Sequence, residues 1–321
     1  MRRLLLAIAL VACALGVGDA HAQSYPSRTI TIIVPFPPGG STDTVARIMA
    51  GGMQPILGQP VVIDNVIGGS GSDGVAKLAR AVPDGYTIDI GQWDTHIGGI
   101  VYKIAYDLEK DFAPIGLISV NPQLLVAPKT FEPANLKGVV AWMKANPGKT
   151  TFANQNAAAQ VAGLLLRKET GADFQFVSYQ GAAPAMEDLL AGHLDLLVVQ
   201  AAAALPQMRA GTVKAITNLS PQRSAAIPDI PTSGEGGVPG FYMTGWFGFF
   251  APKGTPRTAI RKLNAAMVQV LADPRTRTRF AKLGIDVAPR PMQSPEGLTA
   301  FRKVEIEAWW PIIRAAGIAA E

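Results

Sequence analysis

The chain has little cysteine and histidine, and this scarcity excludes several kinds of site. Cys13 is its single cysteine and lies in an N-terminal apolar run, and after residue 22 only two histidines remain, His96 and His193. Disulfides, thiolate catalysis and cysteine-ligated metals are therefore excluded beyond that run. Two histidines are also too few for a multi-histidine metal site, so we expect neither a metal nor a cofactor.

Blocks of like charge and long apolar runs are missing as well. The 321 residues are 48% hydrophobic and 17% charged, which is typical of a globular protein with room for two domains. The small excess of basic residues is spread along the chain, so we expect no nucleic-acid partner. Beyond the N-terminus, no apolar run reaches the length of a transmembrane helix.

Residues 1–22 are predicted to form a signal peptide. Two arginines precede the apolar run, and Ala20-His21-Ala22 matches a signal-peptidase site with cleavage before Gln23. Residues 10–13 resemble a lipoprotein box, but that box comes very early and the cleaner site follows it. Cleavage removes two arginines and one aspartate, which leaves 27 basic and 23 acidic residues and a net charge of +4. We therefore expect an exported protein.

The stretch from Thr29 to Arg47 combines a strand with a glycine-rich turn. Residues 29–34 are rich in β-branched side chains, as in a buried strand, and the prolines and glycines of residues 35–40 end it. Ser41 or Thr42 can then cap a helix. The free N–H groups of such a turn, together with the helix dipole, form an anion site. An ordinary turn without a ligand has the same pattern.

Similar strand–turn–helix units recur along the chain. They predict an α/β fold with a mainly parallel sheet in each of two lobes. In open α/β sheets, ligands bind at the carboxyl ends of the strands. The polar cluster from Gln92 to His96 follows such a strand end and is a candidate site. A capped helix start with a solvated His96 is the alternative.

A second glycine-rich turn follows the second strand. Gly69, Gly71 and Gly74 match the spacing G-x-G-x-x-G, which taken literally is a dinucleotide fingerprint. The match lies in the second βα unit of an exported chain, where a nicotinamide cofactor is not expected. We interpret it as a close approach of helix to strand.

Several short motifs follow one another in a fixed order over essentially the whole chain after residue 22. They are Ile33-Val34-Pro35-Phe36-Pro37-Pro38-Gly39-Gly40 with Asp43, Val61-Val62-Ile63-Asp64-Asn65, Pro83-Asp84-Gly85-Tyr86-Thr87, Asp111-Phe112-Ala113-Pro114-Ile115, Tyr179-Gln180-Gly181-Ala182-Ala183-Pro184-Ala185, Pro231-Thr232, Gly237-Val238-Pro239-Gly240-Phe241 and Ala251-Pro252-Lys253-Gly254-Thr255-Pro256. With these motifs the chain resembles the substrate-binding receptors of tripartite tricarboxylate transporters, the Bug family of periplasmic solute-binding proteins.

The resemblance implies a type II-like, Venus-flytrap periplasmic binding protein. Lobe 1 would comprise residues 23–123 and 249–321 and lobe 2 residues 124–248, with crossover strands near 113–126 and 245–250. It also implies a carboxylate ligand held by backbone amides, which needs no Arg or Lys, and a monomer that delivers it to membrane permease subunits. The candidate ligand-binding residues are Phe36, Pro38, Gly39, Gly40, Ser41, Thr42, Gln92, Trp93, Thr95, His96, Asn154, Gln155, Asn156, Gln160, Tyr179, Gly181, Ala182 and Gln200.

Departures from the family pattern bear on the ligand. Residues 154–156 stand where the family usually has Gly and Ser, and Gln200 ends a strand that commonly ends in Asp. The missing acid weakens the case for an amino-acid ligand. Trp93 either stacks on a flat ligand or packs beneath its loop. We expect an organic mono- or dicarboxylate, with aromatic acids included, and we expect Asp43 to point back toward backbone donors.

Two other functions are compatible with parts of the sequence. A ligand-binding sensor or adaptor for a signalling system would have the same sequence features. A secreted serine hydrolase would use Ser41 or Ser70 with His96, but the chain lacks a G-x-S-x-G elbow. We therefore expect a receptor and no enzyme.

Overall fold

A computed structural model describes residues 25–179, 181–225 and 227–315, and the predicted signal peptide lies outside these ranges. The strands are β1 (Ile30–Val34), β2 (Val61–Asn65), β3 (Thr87–Gln92), β4 (Phe112–Pro128), β5 (Thr151–Asn154), β6 (Gln175–Ser178), β7 (Leu197–Gln200), β8 (Val213–Asn218), β9 (Thr244–Pro252) and β10 (Asp286–Val287). The helices are α1 (Ser41–Leu57), α2 (Ser72–Ala79), α3 (Trp93–His96), α4 (Leu136–Ala145), α5 (Ala157–Thr170), α6 (Ala182–Ala191), α7 (Ala201–Arg209), α8 (Arg257–Ala272), α9 (Pro274–Lys282) and α10 (Pro295–Ala315).

The strands form two parallel groups joined by long antiparallel strands. β1 pairs in parallel with β2 and β3, and we call this group with its helices the first lobe. β5 pairs in parallel with β6, and a parallel bridge links β5 to residue Leu196 just before β7; this group is the second lobe. The two-lobed α/β prediction is confirmed. The sheet is mixed, because β4 and β9 add antiparallel pairs between the groups.

The long strand β4 passes from one group to the other. Its residues 112–122 pair with β9, and its residues 123–128 pair with β7 and β8. Pro122 does not interrupt this strand. Pro122 lies opposite Thr244 at the end of the β9 ladder, where its missing N–H is tolerated because the strand changes partners there.

The first lobe is held by a core on one face of β1. Ile30, Ile32 and Val34 alternate toward this face and are fully buried, together with Val45 and Met49 of α1. Burying an aliphatic side chain of this size contributes roughly 1.5–3 kcal/mol. This packing fixes the start of α1 at the carboxyl end of β1, where the glycine-rich turn lies.

The second glycine-rich turn has a packing role, as we interpreted it. A Cβ atom placed on Gly74 would lie 2.9 Å from the Cα atom of Pro35. The absence of a side chain therefore lets α2 approach the end of β1. In the described ranges, the model contains no helix with the length and apolar character that a membrane crossing requires.

Candidate functional site

The glycine-rich turn of the first lobe is accessible and leaves its helix without a side-chain cap. Pro38, Gly39 and Gly40 are exposed, while Phe36 and Ser41 are half-buried. Gly40 is the N-cap residue of α1, and no side chain accepts a hydrogen bond from the first turn of that helix. The N–H groups of a helix start carry partial positive charge, so this turn suits an anion.

Asp43 points back toward a backbone donor of this turn, as predicted. Its Oδ2 atom accepts hydrogen bonds from the Gly39 N–H at 2.9 Å and from Arg47 Nε at 2.8 Å, and its Oδ1 atom accepts from Asn65 Nδ2 at 3.0 Å. Burial alone would raise the pKa of this carboxyl, but the hydrogen bonds hold its pKa below the ordinary value. The carboxylate therefore braces the turn from behind.

Gln92 brings residues from both lobes together. It is buried at the end of β3, and its Oε1 atom accepts from Thr42 Oγ1 at 3.1 Å and from Gln200 Nε2 at 3.4 Å. Thr95 completes a capping box with it at the start of α3. Because Thr42 and Gln92 belong to the first lobe and Gln200 ends β7 in the second, the strand ends of the two lobes meet at this point.

Trp93 and His96 lie beneath this surface and do not face it. Trp93 is 1% exposed and packs edge-on against Trp309, with ring centroids 5.4 Å apart. His96 is fully buried and stacks on Phe250 at 4.2 Å. The structure therefore corrects our placement of both rings at the ligand surface, because residues from β9 and α10 cover them. For Trp93 it favours the alternative of a ring packed under its loop.

The serine-hydrolase arrangement is not formed around His96. Its Nδ1 atom shares a hydrogen bond with Thr95 Oγ1 at 3.0 Å, and its Nε2 atom lies 3.7 Å from Asp89 Oδ2. Burial lowers the pKa of His96 and raises the pKa of Asp89 well above its ordinary value. Both pKa shifts favour the uncharged forms of these groups. Ser70 interacts instead with Tyr102.

The start of α5 in the second lobe is filled by side chains of the protein. Asn156 Oδ1 accepts from the Ala159 N–H and Asp94 Oδ1 from the Ala158 N–H, each at 2.9 Å. The Tyr102 hydroxyl interacts with the backbone of Ala157. The start of this helix, where several of our candidate residues lie, is thus occupied by three side chains.

The contact that Asp94 makes was not evident from the sequence. Asp94 is 3% exposed, and burial raises the pKa of its carboxyl to about 6. It follows β3 in the first lobe and reaches the backbone of the second lobe 64 residues later in the chain. The polar cluster after β3 was the available signal, but nothing local in the sequence shows that this side chain crosses between the lobes.

The remaining candidates of the second lobe lie at its strand ends. Gln155 is buried and donates from Nε2 to the Val198 carbonyl at 2.6 Å, while Asn154 and Gln160 are half-buried. The Tyr179 hydroxyl donates to Asp188 Oδ2 at 2.9 Å, and Gly181 is the N-cap of α6, beside Ala182. Gln180 lies outside the described residues. Because β5, β6 and β7 run in parallel, these residues share one edge of the sheet.

Sequence reasoning also missed a polar row on β4. Asn121 is 1% exposed, and neither atom of its amide has a hydrogen-bond partner among the described residues. Its neighbour Gln123 lies opposite Gln200 in the β4–β7 ladder. A Cβ atom on Gly245 would lie 3.0 Å from Gln123 Nε2. Polar side chains thus line the point where β4 passes between the lobes.

Comparisons with known proteins agree with this architecture. The model of the tripartite tricarboxylate transporter family receptor matches residues 45–318. Protein BugT of Bordetella pertussis is 34% identical over 324 residues, which covers 99% of this chain and 98% of BugT.

Two solved structures from Rhodopseudomonas palustris carry bound carboxylates. MatC (Rpa3494) with bound malate has a TM-score of 0.83 and is 35% identical to this chain. The match covers 90% of this chain and 100% of MatC. Rpa4515 with adipate has a TM-score of 0.86 and 28% identity, covering 92% of this chain and 100% of that one. The extent of the family match and of these alignments leads to one conclusion: the chain belongs to the receptor family of the tripartite tricarboxylate transporters.

Proposed function

We propose that this protein captures a small organic mono- or dicarboxylate, aliphatic or aromatic, between its two lobes and delivers it to a tripartite tricarboxylate-type membrane permease. The uncapped start of α1 at an accessible glycine-rich turn is the observation that carries the proposal. Similarity to receptors that bind malate and adipate supports the ligand class. The protein acts as a periplasmic monomer, exported by a signal peptide that is cleaved before Gln23.

The ligand carboxylate is held at the start of α1 by backbone N–H groups and the hydroxyl groups nearby. A carboxylate that accepts several such bonds is stabilised without a basic side chain. Neither the turn at residues 36–42 nor the other candidate loops contain Lys or Arg. The candidate residues of the second lobe, across from this turn, distinguish one acid from another; they are Asn154, Gln155, Asn156, Gln160, Tyr179, Gly181, Ala182 and Gln200.

Binding is coupled to closure of the lobes about β4 and β9. We propose lobe 1 at residues 23–123 and 249–321 and lobe 2 at residues 124–248, which is supported by the change of β4 partners between Pro122 and Gln123. The contact between Gln92 and Gln200 is one that opening would break. A ligand that touches both edges shifts the population toward the closed form.

A thermal-shift screen of organic acids tests the binding proposal. A ligand present at a hundredfold excess over its dissociation constant should raise the free energy of unfolding by about 2.7 kcal/mol. The panel contains aliphatic mono- and dicarboxylates, hydroxy acids and aromatic acids, with amino acids and neutral sugars as controls. The proposal fails if no carboxylate moves the unfolding transition.

Uptake measurements test the delivery step. A strain that lacks this protein should lose uptake of the identified acid, and the wild-type chain should restore it. Intact uptake in the deletion strain would contradict delivery to a permease and would favour a sensor instead.

A further inference from the structure

Asp94 of the first lobe places a negative charge at the start of α5 in the second lobe, where a second ligand carboxylate would otherwise bind. The N–H groups at the start of α5 are engaged by Asp94, Tyr102 and Asn156. Burial raises the pKa of Asp94 to about 6, so its carboxyl is ionised above neutral pH. A second anion at this edge would meet a like charge in place of free donors.

Unpartnered oxygen atoms also lie at strand ends of the second lobe. The Oε1 atoms of Gln155 and Gln200 are buried and lack hydrogen-bond partners among the described residues. The orientation of the Gln155 amide is fixed, because its Nε2 atom donates to the Val198 carbonyl. A buried acceptor without a partner costs about 1–3 kcal/mol. A hydrogen-bond donor on a ligand would therefore stabilise these atoms, because none of the described residues donates to them.

Asn121 adds a third unpartnered group at the crossing of β4. It lies two residues before Gln123, whose ladder partner is Gln200. Both atoms of its amide are buried and have no partner within the part of the chain that the structure describes. The amide can accept from a ligand donor and donate to the same group. A hydroxyl or an amide satisfies it, and neither adds a negative charge.

We propose that Asp94 sets the ligand class: the preferred ligand carries a single carboxylate, held at α1, and its far end presents an uncharged hydrogen-bond donor to Asn121, Gln155 and Gln200. This inference rests on the proposed function and narrows it from mono- and dicarboxylates to monocarboxylates with a donor group. Asp94 acts as a specificity-determining residue, because it fills the helix terminus and repels a second carboxylate.

Matched acids of equal length test the inference. Calorimetric titration at about pH 8 compares 4-hydroxybutyrate with succinate, 6-hydroxyhexanoate with adipate, and 4-(hydroxymethyl)benzoate with terephthalate. We expect the best-bound hydroxy acid to bind at least about tenfold more tightly than its dicarboxylate, which is about 1.4 kcal/mol. Asp94→Asn should reduce this ratio at least about fivefold, since it keeps an oxygen for the Ala158 N–H but removes the charge.

The exposed Asp229 provides the matched control. Asp229→Asn removes the same charge from the protein and should leave the ratio unchanged. Equal or tighter binding of the dicarboxylates by the wild-type protein would overturn the inference while leaving the proposed function intact, and this comparison needs no variant to fold. An unchanged ratio in folded Asp94→Asn would also overturn it. If none of the six acids binds, the proposed function itself is contradicted.

Discussion

Two helices begin where the lobes meet, and their first turns differ. The start of α1 has an exposed glycine as its N-cap and no side-chain cap. The start of α5 is capped by Asn156 and also engaged by Asp94 from the other lobe. The start of α1 is therefore available for an anion, whereas the start of α5 already binds the carboxylate of Asp94. The comparison shows that equivalent positions in two similar lobes need not both bind the ligand.

The largest expected change in stability concerns Trp93, the neighbour of Asp94 in α3. Trp93→Ala removes a buried ring that packs on Trp309 and should lower the free energy of unfolding by about 3–5 kcal/mol. Trp93→Phe, which keeps a ring, should cost less. Urea denaturation measures both. A loss below about 1 kcal/mol for Trp93→Ala together with abolished ligand binding would instead indicate a stacking platform for the ligand.

The difference between the two helix starts can be removed by placing an acid at α1. Gly40 has φ −72° and ψ 172°, and a Cβ atom there would lie 3.7 Å from the Pro37 carbonyl oxygen, so a side chain fits. Gly40→Asp should cap α1 and maintain the melting temperature. It should weaken carboxylate binding about hundredfold or more, because the new carboxylate takes the donors and repels the ligand.

Gly40→Ala is the control for this change in calorimetric titration. It adds a Cβ atom without a charge and should keep affinity within about threefold, well under 1 kcal/mol. Undiminished affinity in Gly40→Asp would show that the ligand does not use the start of α1.

The charge at α5 should appear in the pH dependence of stability. The pKa of Asp94 is raised from 3.8 to about 6 in the folded protein, so the folded state binds this proton more tightly than the unfolded state. The contribution of Asp94 to stability therefore falls as the pH rises between about 4 and about 6, by about 3 kcal/mol. Asp94→Asn should gain stability relative to the wild type over that interval. Parallel pH profiles of urea denaturation would contradict the assignment.

The smallest change in stability is expected for the ion pair between Arg47 and Asp43 beside the α1 turn. Arg47 is 54% exposed and pairs with Asp43 at 2.8 Å. Arg47→Ala should cost only about 0.3–0.5 kcal/mol, because the Gly39 N–H and Asn65 still hold the carboxylate. Thermal denaturation at low and high salt measures it. A loss above about 2 kcal/mol would mean that this ion pair, and not the backbone bond, positions the turn.

Local sequence patterns predicted the α1 turn because its determinants are adjacent in the chain. The β-branched run, the glycines and the position of Asp43 all lie within one βα unit, and the structure confirms the orientation of Asp43. The alternation of strands and helices predicted the fold class in the same way. These features depend on secondary-structure propensity and helix capping, which are determined by residues a few positions apart in the sequence.

The features that the sequence did not reveal depend on contacts between distant segments. His96 is buried with Phe250 of β9 stacked on it, and Asp94 contacts the start of α5 64 residues later in the chain. The unpartnered amide of Asn121 depends on where β4 crosses between lobes. A polar residue at a strand end can cap, brace or bind, and tertiary packing decides among these roles.

Backbone amide chemical shifts of the ¹⁵N-labelled protein during titration with the best-bound acid test the central claim most directly. The account predicts that the largest shifts fall at Ser41, Thr42 and Asp43, at the start of α1. The amides of Ala157, Ala158 and Ala159 should change less, because side chains already occupy them. The largest shifts at these alanines, with unchanged amides at the start of α1, would contradict the account.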